Sequence, residues 1–420
     1  MVFEEGDAIS GGGTSLEDDA FANGSYTIDE SGAVEKTADE IKAMLSDKSI
    51  LKAGQVFKVT GPLTLDSGTK YYGNGATIIA PDGIVIKDAS EILIRELLFK
   101  GNVKIENSSS ITLFKMYILS DATAVYADAA SFAISIKSSV IDAKDIAVEL
   151  KAADSAIFQC ALNADKVVVS SADNLAMQEN RFVGISAGVI SSGATCILKN
   201  NVIEAKAGGV GASFTKGSYN NLVALNIFKG SQISLEMTEN FNCSVILNSA
   251  IRIRAKDNKN IYVIDNNLGG TIELTNNNYI ICDGNNYKEG DKLGYTLESN
   301  NQNANGDNMH DVDARLEVGA DENLLPHTNK DLFIGMERQS KIRDLTQPKS
   351  YPLNGYVRNM AKNSDVVILP PGAYSATSTL NIQAEHANTT IYAYGVYQEA
   401  TKYMKNIDIS SASNLTVKRR

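Results

Sequence analysis

Short stretches of alternating apolar and polar residues recur along the chain, and most of them end in a polar turn that contains asparagine. The stretches "IYVIDNN" (261–267) and "YIICDGNN" (279–286) show the pattern clearly. Alternation with a period of two, in segments rich in Val and Ile, is typical of half-buried β-strands. The pattern predicts a protein built from many short strands that are joined by tight turns.

The pattern recurs at a short interval, which ranges from 18 residues (Asn248 to Asn266) to 25 residues (Asn201 to Asn226). This period is too short for repeats built from helix pairs, and the pattern of leucine-rich repeats is absent. One coil of three short strands per period gives a solenoid of stacked parallel strands. The position that follows the first strand is occupied in successive coils by Leu97, Met116, Ser138, Ala161, Asn180, Asn201, Asn226, Asn248, Asn266 and Asn285. The sequence therefore predicts an all-β solenoid of about ten coils.

Asparagine occupies this turn position in the last six repeats. It is a poor strand former, and its amide costs free energy when it is buried without hydrogen-bond partners. Amides that stack on successive coils can satisfy one another. We therefore expect one buried asparagine ladder, formed by Asn180, Asn201, Asn226, Asn248, Asn266 and Asn285.

The ends of the chain predict a cap and a second array of coils. An open solenoid exposes its core at each end, and "TADEIKAMLSD" (37–47) predicts an amphipathic helix that covers the N-terminal end. From residue 345 a short helix, a strand and alternating strands follow again. The expected domains are a tail at 1–34, a β-helix at 35–300, a linker or irregular packing at 301–344, and the beginning of a second, truncated β-helix at 345–420. We expect the chain to be part of a larger multidomain protein.

Three stretches resemble coils of the pectin-lyase-like right-handed parallel β-helix superfamily. They are "GTKYYGNGATI" (68–78), "GIVIKDASEILIRELLF" (83–99) and "VVILPPGAY" (366–374). The resemblance implies a right-handed parallel β-helix and an extracellular or cell-surface location. The superfamily includes polysaccharide lyases, glycoside hydrolases, epimerases, phage tailspikes and adhesins, so the fold does not choose the activity. The catalytic motifs of pectate lyases and polygalacturonases do not occur in the sequence, and the chain has no Trp.

Composition excludes several classes of protein. The formal net charge of −11 argues against a protein that binds nucleic acid without regard to sequence. No apolar run is long enough to form a transmembrane segment. The N-terminal stretch "MVFEEGDAISGGGTSLEDD" lacks the basic and apolar regions of a signal peptide.

The four cysteines, Cys160, Cys196, Cys243 and Cys282, have the spacing of neither a zinc motif nor a CxxC motif. Cys196 and Cys243 share a column of the repeat, but Asn221 lies between them. Two coils separate them by about 9.6 Å, whereas a disulfide needs Cα atoms closer than about 7 Å. We expect four reduced thiols that are buried in the core.

In the superfamily that this chain resembles, the asparagine turn lies between the second and third strands of a coil, and the strand that begins the next coil lines the substrate groove. Alternation places one column of its side chains outward, which reads Lys87, Glu106, Asp128, Glu149 and Ser170. Three stacked carboxylates repel one another unless a proton or cation intervenes, and clusters rich in oxygen suit Ca²⁺. Carboxyl groups about 5–9.5 Å apart can also serve as the catalytic pair of a glycosidase. Glu106, Asp128 and Glu149 are therefore the candidate catalytic and calcium-binding residues, and the alternative is an acidic face that is merely solvated.

Further outward residues are candidates for substrate binding. Glu236, Arg252, Arg254 and Glu273 would form a cationic subsite for a uronate or sulfate, with an arginine as the base of a lyase. The alternative, which we prefer because exposed ion pairs are common, is a set of cross-strand ion pairs. The candidate substrate-binding residues are Lys104, Tyr126, Glu236, Arg252, Arg254 and Glu273.

The leading functional hypothesis is a secreted carbohydrate-active or carbohydrate-binding protein. Its best specific form is a polysaccharide lyase or a glycoside hydrolase that acts on an acidic glycan. The rival hypothesis is a non-catalytic adhesin or surface stalk. Tyr126 is the one outward aromatic residue on the strands that line the groove, and this scarcity of platforms for sugar rings favours the rival.

Overall fold

The structure is a computed structural model that describes residue 28, residues 30–206, 208–270, 272–283 and 285–287, and short segments between 295 and 418. Those segments are 295–297, 366–369, 371–374, 380–382, 389–394, 396–398, 409–411 and 415–418. Nearly all of the predicted tail, the predicted linker at 301–344 and the helix expected after residue 345 lie outside the described residues. The predicted domain boundaries stay predictions.

The described part of the chain winds into about twelve parallel coils, about two more than the sequence predicts, and each coil contributes a strand to three faces. Face 1 is a separate sheet of eleven strands. Its strands are Lys70–Tyr72, Ser90–Arg95, Ser109–Phe114, Phe132–Lys137, Ala156–Phe158, Ala176–Gln178, Ile197–Lys199, Leu222–Ala224, Phe241–Ile246, Lys259–Ile264 and Asn278–Asp283.

Faces 2 and 3 follow in each coil and are joined in one sheet of 23 strands. Face 2 comprises Val34–Thr37, Val56–Thr60, Thr77–Ile79, Leu98–Lys100, Tyr117–Ser120, Val140–Ala143, Val202–Ala205, Ile227–Lys229, Ser249–Ala250, Asn267–Leu268 and Asn286–Tyr287. Face 3 comprises Leu63–Thr64, Ile84–Lys87, Val103–Glu106, Val125–Ala127, Ile146–Leu150, Val210–Phe214, Ile233–Thr238, Ile253–Lys256, Ile272–Thr275 and Tyr295–Leu297. Two longer strands, Ala161–Ser170 and Arg181–Ser191, run through both faces.

The turn from face 1 to face 2 has two residues, and the first adopts a left-handed backbone. Its φ is 56° at Glu96, 50° at Lys115 and 55° at Asn200. The second residue points into the core. This turn takes the chain from one face to the next within two residues, which helps to keep the period short.

The six asparagines that were predicted to stack do so at this second position. Each side-chain amide donates to the side-chain carbonyl of the next, at 2.9 Å from Asn180 to Asn201 and 3.0 Å from Asn226 to Asn248. All six are at most 3% exposed. Earlier in the column the register places Ser139 and Cys160, where the sequence pattern had suggested Ser138 and Ala161. The loose early repeats allow a shift of one residue that only strand pairing resolves.

A second, shorter stack of asparagines lies at the turn that leads into face 1. Asn240, Asn258 and Asn277 are buried there, and Asn258 donates to Asn277 at 2.8 Å. The backbone N–H of Asn240 donates to Asn258 at 2.8 Å. These asparagines lie outside the turn position that the sequence pattern predicts.

The described residues at the N-terminal end include the predicted helix, α1 (Ala38–Ser46). Thr37 and Glu40 close a capping box, in which Glu40 Oε2 accepts from the Thr37 N–H at 2.8 Å and Thr37 Oγ1 accepts from the Glu40 N–H at 3.2 Å. Ile41 and Leu45 are fully buried and join the main hydrophobic core. Helix α1 thereby covers apolar residues of the first coils.

The four cysteines are buried, and none is joined in a disulfide among the described residues. Asn221 stands between Cys196 and Cys243, because its side chain accepts from the Cys196 N–H at 2.9 Å and donates to Cys243 Sγ at 3.5 Å. Burial raises the pKa of Cys196 to about 12 and the pKa of Cys243 to about 11. Both stay protonated near neutral pH, as expected for core thiols.

The C-terminal strands are paired in the same parallel manner, each with the strand three places on. They are Val366–Ile368, Gly372–Tyr374, Leu380–Ile382, Thr389–Tyr392, Val396–Gln398, Ile409–Ser411 and Leu415–Lys418. The C-terminal strands therefore repeat the pattern of three strands per coil. In the part of the chain that the structure describes, no helix has the length and apolarity needed to cross a membrane.

Candidate functional site

Face 3 presents one unbroken column of outward side chains, which we call the central column. Strand pairing aligns its members one above another: Val85, Lys104, Tyr126, Glu149, Val169, Ile190, Ser213, Glu236, Arg254 and Glu273. Neighbouring strands lie about 4.8 Å apart. The column contains six of the nine candidate site residues, so candidates that are far apart in the sequence share one surface.

The predicted column of three carboxylates is wrong in its third member. Val125 pairs with Val148, so Glu149 lies opposite Tyr126 and not opposite Asp128. A column with Glu149 next to Asp128 would require Val125 to pair with Ile146, two residues before Val148. Alternation predicts inward positions for Ile146, Ile233 and Ile251, but the first two are only half-buried and Ile251 is 38% exposed. A shift by two residues keeps every side chain on its face, so alternation alone cannot exclude it.

Glu106 and Asp128 do lie on adjacent strands in register. Tyr126 pairs with Lys104 and Ala127 with Ile105, and the Asp128 N–H donates to the Ile105 carbonyl at 3.1 Å. Glu106 follows Ile105 as Asp128 follows Ala127. Two of the three candidate carboxylates therefore face outward at equivalent positions of neighbouring coils.

Tyr126 lies at the centre of a cluster of charged residues, which we call the tyrosine cluster. Lys104 and Glu106 form an ion pair at 2.8 Å on the coil before it, and Glu149 and Lys151 form one at 3.1 Å on the coil after it. The ammonium group of Lys151 lies 5.1 Å from the centre of the Tyr126 ring. Hydrogen bonds to the glutamates raise the pKa of both lysines.

Lys151 was not among the candidates, although the sequence carries the signal for it. It lies two residues after Glu149, so the same alternation that turns Glu149 outward also turns Lys151 outward. The tyrosine cluster thus holds two carboxylates and two ammonium groups around one ring.

Asp128 uses its carboxylate to hold the turn that follows its strand. Its oxygens accept from the Ser131 hydroxyl at 2.6 Å, the Ser131 N–H at 2.9 Å and the Asn107 N–H at 3.2 Å. Burial opposes the charge, but these hydrogen bonds outweigh it, and the pKa of Asp128 is lowered. The carboxylate is ionised at neutral pH and is already satisfied by the protein.

The second group of candidates forms a network of ion pairs, which we call the arginine cluster. Arg254 bonds Glu236 at 3.3 Å on one neighbouring coil and Glu273 at 2.9 Å on the other. Arg252 reaches Glu273 diagonally at 3.3 Å. Strand pairing puts Arg254, and not Arg252, opposite Glu273. The preferred interpretation of these residues as cross-strand ion pairs is confirmed.

The hydrogen bonds with Glu273, and then those with Glu236, raise the pKa of Arg254 against the opposing effect of burial. Its guanidinium therefore holds its proton firmly. Among the described residues, no group of three or more His, Cys, Asp or Glu side chains is arranged to hold a metal ion. The outward side of face 3 therefore carries two clusters of paired charges in one column.

Comparison with known proteins shows that the fold of this chain is similar to that of several solved structures. No protein-family model matches the chain, and no curated protein sequence matches it. The A-module of mannuronan C-5 epimerase AlgE4 from Azotobacter vinelandii is similar over 65% of this chain and 97% of that one, at 13% identity and a TM-score of 0.48. PfbA, a surface adhesin of Streptococcus pneumoniae, is similar over 60% and 84%, at 12% identity and a TM-score of 0.41.

A GH87 α-1,3-glucanase from Streptomyces thermodiastaticus is similar over 64% of this chain and 70% of that one, at 12% identity and a TM-score of 0.43. The parallel three-strand coils define the class of fold independently of these comparisons. Parallel strands of one sheet are almost always connected by a right-handed crossover, which gives the hand of the helix. The chain is a right-handed parallel β-helix.

Proposed function

We propose that this β-helix binds an acidic polysaccharide or cell-surface glycan along the central column, and that it works outside the cell or at the cell surface. The observation that carries the proposal is the tyrosine cluster. Tyr126 is partly exposed and is fixed between Lys104 and Glu149 of the neighbouring coils. An aromatic ring held among charged hydrogen-bonding groups can stack against a sugar ring while its neighbours bind hydroxyl or carboxylate groups.

The position of the arginine cluster supports an extended ligand. It lies in the same column as the tyrosine cluster, beyond Val169, Ile190 and Ser213. A polysaccharide laid parallel to the solenoid axis would pass over one strand about every 4.8 Å. Both clusters would then contact the same glycan chain, and the uncharged stretch between them would face its sugar rings.

The charge pattern favours binding without catalysis. Glu106 and Glu149 are held by lysines, and the oxygens of Asp128 are occupied by turn hydrogen bonds. Arg254 is a poor base for a lyase because its raised pKa keeps it protonated. A non-catalytic module of the adhesin or surface-stalk kind accounts for these pairings directly.

A glycoside hydrolase is the second candidate, and one observation favours it. Glu106 and Asp128 are in register on adjacent strands about 4.8 Å apart, close to the carboxyl separation of about 5–5.5 Å in retaining enzymes. Glu149 is not a candidate nucleophile or acid in this version, because it lies opposite Tyr126 and not next to Asp128. The candidate catalytic residues of this version are Glu106 and Asp128.

Replacing Tyr126 by alanine should weaken glycan binding about tenfold, which corresponds to about 1.4 kcal/mol. The physical reason is the loss of the ring that a sugar would stack on, together with release of Lys151 from its position over that ring. Isothermal titration calorimetry with polyuronates, sulfated glycans and neutral glucans measures the effect and also identifies the ligand class.

Tyr219→Ala is the matched control, because Tyr219 is 46% exposed and lies at a turn that precedes face 1. It should leave affinity unchanged. Equal losses in both variants, or no binding to any charged glycan, would refute the assignment of the central column. Shortened or unsaturated sugars after incubation with a glycan would show that the protein is a hydrolase or a lyase, and not a binding module.

Calcium binding by Glu106, Asp128 and Glu149 stays a prediction from the sequence. With Glu149 displaced and Asp128 already hydrogen-bonded, we expect calcium to leave the melting temperature unchanged. Asp128→Asn should then lower stability, because the carboxylate receives charge-assisted hydrogen bonds from Ser131 and Asn107. A melting temperature that rises with calcium concentration in the wild type, and not in Asp128→Asn, would establish the metal site instead.

A further inference from the structure

The outward side of face 1 is apolar and buried at the later coils, although the same side of an isolated solenoid would meet water. Leu222, Ala224, Ile246 and Ile264 point away from the main core and are at most 2% exposed. They belong to a separate hydrophobic cluster, which we call the face-1 patch: Ile197, Leu222, Ala224, Leu225, Ile246, Leu247, Tyr262, Ile264 and Ile281. Something must cover this patch, because apolar surface of this extent is otherwise rare on a soluble protein.

The covering residues come from the C-terminal strands of the same chain. Ile368, Tyr392 and Tyr394 pack in the face-1 patch and are at most 5% exposed. Ile368 and Tyr392 are register partners on neighbouring strands, so they form an outward column of the second array. Two stacked outward columns, one from each array, therefore meet as two sheets that pack face to face.

Polar contacts give this packing one defined position. The Tyr392 hydroxyl donates to Asp265 Oδ2 at 2.7 Å, and the Ser244 hydroxyl donates to the Tyr394 carbonyl at 3.1 Å. The Tyr262 and Tyr394 rings lie 5.7 Å apart between centroids, with an angle of 41° between their planes. Hydrogen bonds to buried groups are lost if the two sheets slide, so they select a single alignment.

An independent signal is the choice of residue at the turn between face 1 and face 2. Leu225 and Leu247 adopt the left-handed backbone there, with φ of 58° and 56°. This conformation favours Gly, Asn and Asp and disfavours leucine. The same turn position carries polar residues at Glu96, Lys115 and Asn200. Leu225 and Leu247 adopt this unfavourable backbone conformation on the coils where their side chains pack in the face-1 patch.

We infer that the face-1 patch is a docking surface whose occupant is the chain's own C-terminal part, at the described residues 366–369 and 389–394. The second array therefore lies beside the first along face 1 and does not extend its axis. Face 1 is closed to ligands at these coils, whereas face 3 stays open. The inference is independent of glycan binding, since it uses a different face.

The test is the double substitution Leu225→Asn with Leu247→Asn in the full chain. Asparagine suits the left-handed turn but removes the apolar contact with the C-terminal strands. We expect amide hydrogen exchange at 389–394 to become at least tenfold faster and protease cleavage to increase there. Lys115→Asn, at the same turn position far from the patch, is the control and should change neither exchange nor melting temperature by a measurable amount.

A rise in melting temperature with unchanged exchange in the double variant would overturn the inference, because the leucines would then be strained without a docking role. If the double variant does not fold, Tyr392→Phe and Asp265→Asn provide the second measurement. Each should speed exchange at 389–394, and the two together should do no more than one alone. Exchange that slows as protein concentration rises would assign the occupant to a second copy and overturn the intrachain assignment.

Discussion

Asn226→Ala should lower the free energy of unfolding by about 3–5 kcal/mol, one of the two largest effects expected in this chain. Asn226 is fully buried at the middle of the asparagine stack. Its amide donates to the Leu198 carbonyl at 2.8 Å and to Asn248 Oδ1 at 3.0 Å. Its carbonyl accepts from the backbone and the side chain of Asn201, at 3.0 and 2.9 Å. Alanine would remove all four hydrogen bonds and would leave the buried Asn201 N–H without its acceptor, and an unsatisfied buried group costs about 1–3 kcal/mol.

Chemical denaturation followed by circular dichroism measures this loss. The control is Asn102→Ala, at an exposed asparagine, which should change stability by less than about 0.5 kcal/mol. If both variants lost the same small amount, the stack would be a by-product of the fold and not a source of its stability.

Gly188→Ala should destabilise the protein by about 3 kcal/mol, because there is no room for a β-carbon. A methyl group at this position would stand 2.4 Å from the Gly211 carbonyl oxygen and 2.5 Å from Ile203 Cγ2. The first is backbone of the next coil and the second belongs to a fully buried side chain, so neither can move aside cheaply. The two coils would have to separate.

Gly269→Ala is the matched substitution without this conflict. The nearest atoms, Ala250 O and Ile251 Cα, are both 3.9 Å from the new methyl group. We expect a change within about 0.5 kcal/mol, since alanine also restricts the unfolded chain. Thermal unfolding of the two variants side by side tests the difference, and equal melting temperatures would show that the coils can separate without cost.

Part of the candidate site could be predicted from the sequence and part could not. Alternation correctly turned Lys104, Tyr126, Glu236, Arg254 and Glu273 outward, because a side chain's face depends only on its place within a strand. Which residue lies above which depends on strand register. The neighbour of Tyr126 is Glu149 because Val148 pairs with Val125 across the coils.

The packing of the C-terminal strands lay beyond sequence analysis for a different reason. The pattern "NTTIYAYGVY" indicates a coil, and the strands are indeed paired in parallel. Nothing local to that stretch says that Tyr392 meets Asp265, which is 127 residues earlier. Such a contact depends on the apolar surface that distant coils assemble together.

The sequence by itself determined the solenoid, its short period and its asparagine stack. These properties follow from local alternation and from a two-residue turn that recurs with the same chemistry, as at Asn201, Asn226 and Asn248. Only the tertiary structure decided the order of residues within each column and the surface that the C-terminal strands cover. Alternation repeats every two residues, so a shift of two leaves the buried face intact, and only the packing of each coil on its neighbours selects one register.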